Sequence, residues 1–167
     1  MRGNEGGPPH EVGGDGIKII KYCKYYEKST YPCPYGEIIE FNNLHITANL
    51  KLAKDTLKDY CGIYCIKCLE TGAMYIGSSV DIGGRLIDHI LYNSSSNSNI
   101  HLQNAIDATR VLFYFFCGLY ERQLLLGSVV EFCTPSDLLQ REQHYLDWLF
   151  SLASNLRYNF CPTAEVH

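Results

Sequence analysis

The sequence predicts an α+β domain: a small mixed or antiparallel three-stranded sheet, flanked by helices and preceded by an N-terminal arm. Two apolar-aromatic runs, Cys61 to Cys68 and Ala73 to Gly77, stand either side of Glu70-Thr71-Gly72. Strand-forming residues around a Gly-containing turn read as a hairpin. A third run, Val129 to Cys133, is β-branched and aromatic and supplies another strand. Apolar residues then recur at helical spacing in 81–92, 100–109 and 136–152.

The bulk numbers fit one domain with an arm. The 167 residues are 46% hydrophobic, enough for a real core. The formal net charge of -4 argues against a strongly basic nucleic-acid binder. The charge is uneven: seven Lys face five acids in 17–60, whereas six basic residues face ten acids in 61–167. Eight Cys would suit a secreted disulfide scaffold, but the N-terminus shows no apolar signal segment. Several Cys sit in apolar runs such as Phe116-Cys117, Phe132-Cys133 and Phe160-Cys161, where a thiol behaves as a small hydrophobe. Reduced, mostly buried thiols are therefore expected. Residues 111–130 form the most apolar window, but Glu121 and Arg122 interrupt it, so no membrane span is expected.

In chain order, residues 1–16 hold six Gly and two Pro and read as a disordered tail. Residues 17–60 form an arm that interleaves Lys and Tyr (Lys21, Tyr22, Lys24, Tyr25, Tyr26) and ends in a helix over 49–60. Such an arm suits either backbone tracking with base stacking or Tyr side chains packed on the domain. Lys51, Lys54 and Lys58 share one face of that helix, as a DNA-facing stripe or a solvated face. Residues 61–160 form the main domain and 161–167 a tail. Asp81 is the expected N-cap of the 81–92 helix. Gly83 and Gly84 in its first turn each cost roughly 1 kcal/mol relative to Ala. Val111 to Phe116 reads as a strand, and Ser136 or Asp137 as the cap of the last helix.

Tyr64 and Tyr75 lie in the hairpin, Arg85 follows ten residues after Tyr75, and His89 shares its helical face. Arg141-Glu142-Gln143 lies on the last helix, and Tyr158-Asn159 follows it. With Gly62-Ile63-Tyr64 and Tyr75-Ile76-Gly77, this set over 61–160 resembles the GIY-YIG endonuclease family, in particular its intron-encoded homing endonucleases of fungal mitochondria.

The resemblance implies metal-dependent hydrolysis of phosphodiester bonds in double-stranded DNA. Glu142 would ligate Mg²⁺ or Mn²⁺, because a lone carboxylate suits an ion that keeps several waters. Arg85 would bind the scissile phosphate with its forked donors. Tyr64 would act as, or orient, the general base, with Tyr75 and His89 as relay candidates. A phenol's ordinary pKa near 10 makes such help necessary. Asn159 would brace the site. Gly62 and Gly77 mark positions too close to backbone or substrate for a side chain. The site is expected on the sheet face where Tyr64 and Tyr75 meet Arg85 and Glu142. A mitochondrial protein encoded in the organelle would need no import signal. Taken singly, each residue has an ordinary reading as core Tyr, solvated Arg or surface His; the spacing of the set gives it weight.

Three features depart from the family's pattern. About a dozen extra residues separate the 100–109 helix from the strand at Val129, Gly83-Gly84 precedes Arg85, and no DNA-binding module is visible after Pro162. They leave an alternative, a catalytically inactive remnant with at most weak nucleic-acid binding. A rival zinc reading rests on Cys65-x-x-Cys68, but no second Cys or His pair completes it.

Overall fold

A computed structural model describes residues 10–11, 17–20, 38–91, 99–115 and 125–165. The rest of the Gly-rich tail, and Tyr22, Tyr25 and Tyr26 of the arm, lie outside the described residues.

Among the described residues, six strands form one antiparallel sheet. They are β1 (His10–Glu11), β2 (Ile17–Ile20), β3 (Ile38–Asn42), β4 (Gly62–Cys68), β5 (Met74–Ser79) and β6 (Leu125–Phe132), in the order β1-β2-β3-β6-β4-β5. The expected hairpin is β4 and β5, closed where Gly72 takes φ +76° and its N–H reaches the Cys68 carbonyl at 2.8 Å. Positive φ is the conformation that Gly tolerates best. The expected third strand is β6, paired with β4. The arm widens this three-stranded unit, because β3 pairs along the other side of β6.

Among the described residues, four α-helices flank the sheet: α1 (Thr47–Leu57), α2 (Ile82–Leu91), α3 (Ile100–Phe115) and α4 (Leu138–Phe150). Strand alternation sends neighbouring side chains to opposite faces, and each face has its own core. On one face Tyr64 and Ile66 pack with Leu50 and Leu57 of α1, Leu86 and Ile90 of α2, and Leu102 and Ile106 of α3. On the other, Ile63, Cys65, Met74 and Ile76 pack with Tyr145, Leu146 and Leu149 of α4.

Several local expectations change. Val111 to Phe115 is not a strand but the continuation of α3, which runs to Phe115 instead of stopping near Thr109. The run is rich in residues that suit either state, and a short apolar run carries no period that separates them. Asp137 occupies the N-cap position of α4 without capping it; its carboxylate accepts the Thr134 hydroxyl at 3.0 Å instead. Cys65 and Cys68 are buried, but Phe160 and Cys161 are exposed.

Asp81 does cap α2. Its Oδ1 accepts the Gly84 N–H at 3.1 Å and the Asp59 N–H at 3.0 Å, tying the helix start to the end of α1. The expected weakness at Gly83 has a packing reason. A side chain there would run into the Lys54 carbonyl and the backbone at Leu57 and Lys58, so Gly lets α1 and α2 touch backbone to backbone. The helix bearing Arg85 and His89 is thus held by contact as well as by its cap.

Candidate active site

The predicted residues gather around the outer strand of the sheet. Tyr64 lies on β4 opposite Gly77 of β5. A Cβ at Gly77 would stand 2.5 Å from the Tyr64 hydroxyl and 2.7 Å from its ring carbon, so the missing side chain makes room for the phenol. Gly62 has a different role: a Cβ there would strike the Glu131 carbonyl of β6. The ladder between β4 and β6 shifts register at Ile63 and Tyr64. Such a bulge bends the strand and re-aims side chains, here beside Tyr64.

Tyr64 is 1% exposed, and its hydroxyl lies 2.7 Å from Nε2 of His89, which is 2% exposed. Tyr75 completes an aromatic cluster, 5.0 Å edge-on from the His89 ring and 6.3 Å from the Tyr64 ring. His89 is placed by α2, and its carbonyl accepts the Gln103 amide of α3 at 2.7 Å.

Burial dominates the electrostatics. It pushes the Tyr64 phenol well above its ordinary range, and Tyr75 adds to the rise. The Arg85 guanidinium, in hydrogen-bonding reach of Tyr64, pulls the other way without winning. Tyr75 is raised as well, first by burial, with Arg85 opposing and Glu142 adding. Burial and then Arg85 depress His89 to about 3. At neutral pH both phenols are protonated and the imidazole is neutral.

Glu142 approaches from the other side. It lies on α4, 5% exposed, and its Oε2 accepts the Ser78 hydroxyl at 2.6 Å. Ser78 is one residue beyond Gly77, so its side chain belongs to the α4 face. The expectation of a site on one sheet face is therefore corrected. Tyr64, Tyr75, Arg85 and His89 occupy the α2 side and Glu142 the α4 side, and they meet around outer strand β5. The charge of Glu142 is felt by both phenols across that strand.

Asn159 secures the strand. Its side chain accepts the Ile76 N–H at 2.9 Å and donates to the Ile76 carbonyl at 2.8 Å, as a neighbouring strand would. Tyr158 N–H adds a bond to the Met74 carbonyl, and Asn99 holds the Tyr158 carbonyl at 2.6 Å. Lys51 and Lys54 are exposed on α1, outside this cluster. Lys58, also exposed, is not on the expected helical face with them, because α1 ends at Leu57 and Lys58 is its C-cap, with extended ψ of 129°. Ser78 and Gln103 were not singled out by sequence. Strand alternation would have placed Ser78 opposite in sense to Gly77, but nothing local announces a partner on α4.

The sequence profile of the GIY-YIG catalytic domain matches residues 60–156. The chain belongs to the GIY-YIG family. It is also 29% identical over 132 residues to a Neurospora crassa protein named "Probable intron-encoded endonuclease 1". That match takes in 73% of this chain and 42% of the relative's length. No solved structure matches the chain. The GIY-YIG triplets are thus the paired strands β4 and β5, and Arg85 and Glu142 reach them from helices on opposite faces.

A GIY-YIG chain is expected to use a divalent metal, and the donor set fits one kind. Among the described residues, no three or more of His, Cys, Asp and Glu stand together as a ready cage. A single buried carboxylate, oriented by a hydroxyl, suits a hard ion that draws its remaining oxygens from water and substrate. Glu142 is the residue that would hold it.

Proposed function

We propose that the chain is a metal-dependent endonuclease that hydrolyses phosphodiester bonds of double-stranded DNA, of the intron-homing type. The observation that carries this reading is the convergence of Arg85, two phenols, a neutral imidazole and a carboxylate around Gly77. Phosphodiester hydrolysis needs an activated water, neutralised charge on phosphorus and a stabilised leaving oxygen.

Arg85 binds the scissile phosphate. Its guanidinium is permanently charged and matches phosphate geometry. Tyr64 serves the attacking water by relay, not as a standing phenolate. It accepts a proton from water while its own hydroxyl proton passes along the 2.7 Å bond to His89. The arriving phosphate offsets the charge of Arg85, which removes the second of the two causes that depress His89. Tyr75 packs against both partners and holds the relay in line. Glu142 would hold Mg²⁺ or Mn²⁺, which would supply positive charge to the phosphate oxygens. Gly77 leaves the space that the relay fills, and Asn159 holds the strand from which Tyr75 projects. Lys51 and Lys54 lie on α1, which packs against α2, Lys58 stands at its C-cap, and the three give the DNA backbone contacts beyond Arg85.

The name of the Neurospora relative, an intron-encoded endonuclease, supports the homing type; a mitochondrial setting belongs to the same proposal. Nicking of supercoiled plasmid in Mg²⁺ or Mn²⁺ tests the activity. The wild type is expected to cut, and Glu142→Ala and Arg85→Ala are not. A wild type no faster than these variants would mean the inactive-remnant alternative.

A further inference from the structure

We propose that Ser78 is a positioning residue for the metal, acting through Glu142; the inference rests on the endonuclease reading above. Glu142 and Ser78 are 64 residues apart in sequence but 2.6 Å apart in space. The hydroxyl donates to a carboxylate, so the bond is charge-assisted and short. It engages Oε2 from β5, a strand held at Ile76 by Asn159 and along its length by β4. The donor is therefore rigidly placed, whereas the Glu side chain has several rotatable bonds of its own. The Ser78 hydroxyl fixes Oε2, and with it the direction in which the carboxylate meets the ion. A lone carboxylate has little chelating power, so its pre-orientation weighs heavily in ion affinity. Ser78 does not touch substrate, and its effect should fall on ion binding rather than on the chemical step.

This predicts a split. In Ser78→Ala the Mn²⁺ concentration that half-saturates nicking rises about 10- to 100-fold, the usual loss when a ligand's hydrogen-bonded support is removed. The rate at saturating Mn²⁺ stays within about threefold of wild type. Ser78→Thr keeps the hydroxyl on a strand position that suits β-branching, and restores the wild-type half-saturation. Direct binding gives a readout independent of catalysis. Free Mn²⁺ is followed by its paramagnetic resonance signal during titration of the full chain in the presence of duplex DNA. The order of affinity expected is wild type and Ser78→Thr, then Ser78→Ala, then Glu142→Gln. Circular dichroism melts of all four proteins establish that they are folded. The inference is overturned if Ser78→Ala binds Mn²⁺ as wild type does, or if its saturating rate collapses while half-saturation is unchanged. If Glu142→Gln also binds and nicks like wild type, the endonuclease reading of Glu142 itself fails, which is a separate outcome.

Discussion

The Tyr64 hydroxyl and His89 Nε2 stand 2.7 Å apart, each on a side chain almost wholly buried. The pair joins the β4 strand to the α2 helix and lies next to Arg85, the group assigned to the phosphate. A hydrogen bond in that setting has structural value and also offers a proton path. Tyr64→Phe separates the two. It removes only the hydroxyl and leaves the ring that Gly77 accommodates. Nicking should fall by about 10²- to 10⁴-fold, the usual contribution of a positioned acid–base group. Stability should fall by about 1–3 kcal/mol, because a buried imidazole nitrogen loses its partner. Plasmid nicking and urea unfolding read the two effects.

His89 also sets a pH dependence. Its folded pKa is lowered from 6.5 to about 3, by burial first and Arg85 second. Above pH 6.5 the imidazole is neutral in the folded and unfolded chains, and the stability of the neutral pair is fully present. As pH falls from 6.5 toward 3, the unfolded chain takes up a proton that the folded chain refuses, so stability falls. The loss attributable to His89 is about 2 kcal/mol by pH 5. His89→Gln should flatten the pH dependence of unfolding free energy between pH 7 and 5. Equal slopes for the two proteins would contradict the buried neutral state.

Gly83→Ala tests whether close helix contact, and not sequence drift, explains the Gly pair before Arg85. Ala favours a helix by about 1 kcal/mol over Gly. Against this, the added methyl would meet the α1 backbone, which cannot move aside as a flexible side chain can. Overpacking of that kind costs about 1–3 kcal/mol. A net loss of stability in chemical denaturation is expected, and a gain would show that α1 and α2 do not touch there.

Much of this architecture was legible in the chain. The hairpin showed in its two apolar-aromatic runs around Gly72, the α2 helix in its Asp81 cap, and β6 in its β-branched run. What stayed hidden depended on partners distant in sequence. Nothing near Val111 to Phe115 says that α3 continues through it, since bulky apolar residues serve a buried strand or helix alike. The pairing of Ile38–Asn42 with β6 spans most of the chain, and local pattern is silent on it. The spacing of Tyr64, Arg85, His89 and Glu142 named residues that the fold brings close together around β5. It did not reveal that Glu142 arrives from the opposite face, nor that Ser78 meets it. Alternation on β5 implies the first point only once α4 is known to cover that face.

The central claim is that groups from both faces of the sheet work as one site around Gly77. The most direct measurement is plasmid nicking in Mg²⁺ by wild type, Arg85→Ala, Glu142→Ala and the double variant. Each single change should slow cutting by at least about 10²-fold. Residues that act as a unit are strongly non-additive, so the double variant should be little slower than the slower single one. A wild type that cuts no faster than the variants, or a double variant whose losses multiply, would contradict the claim.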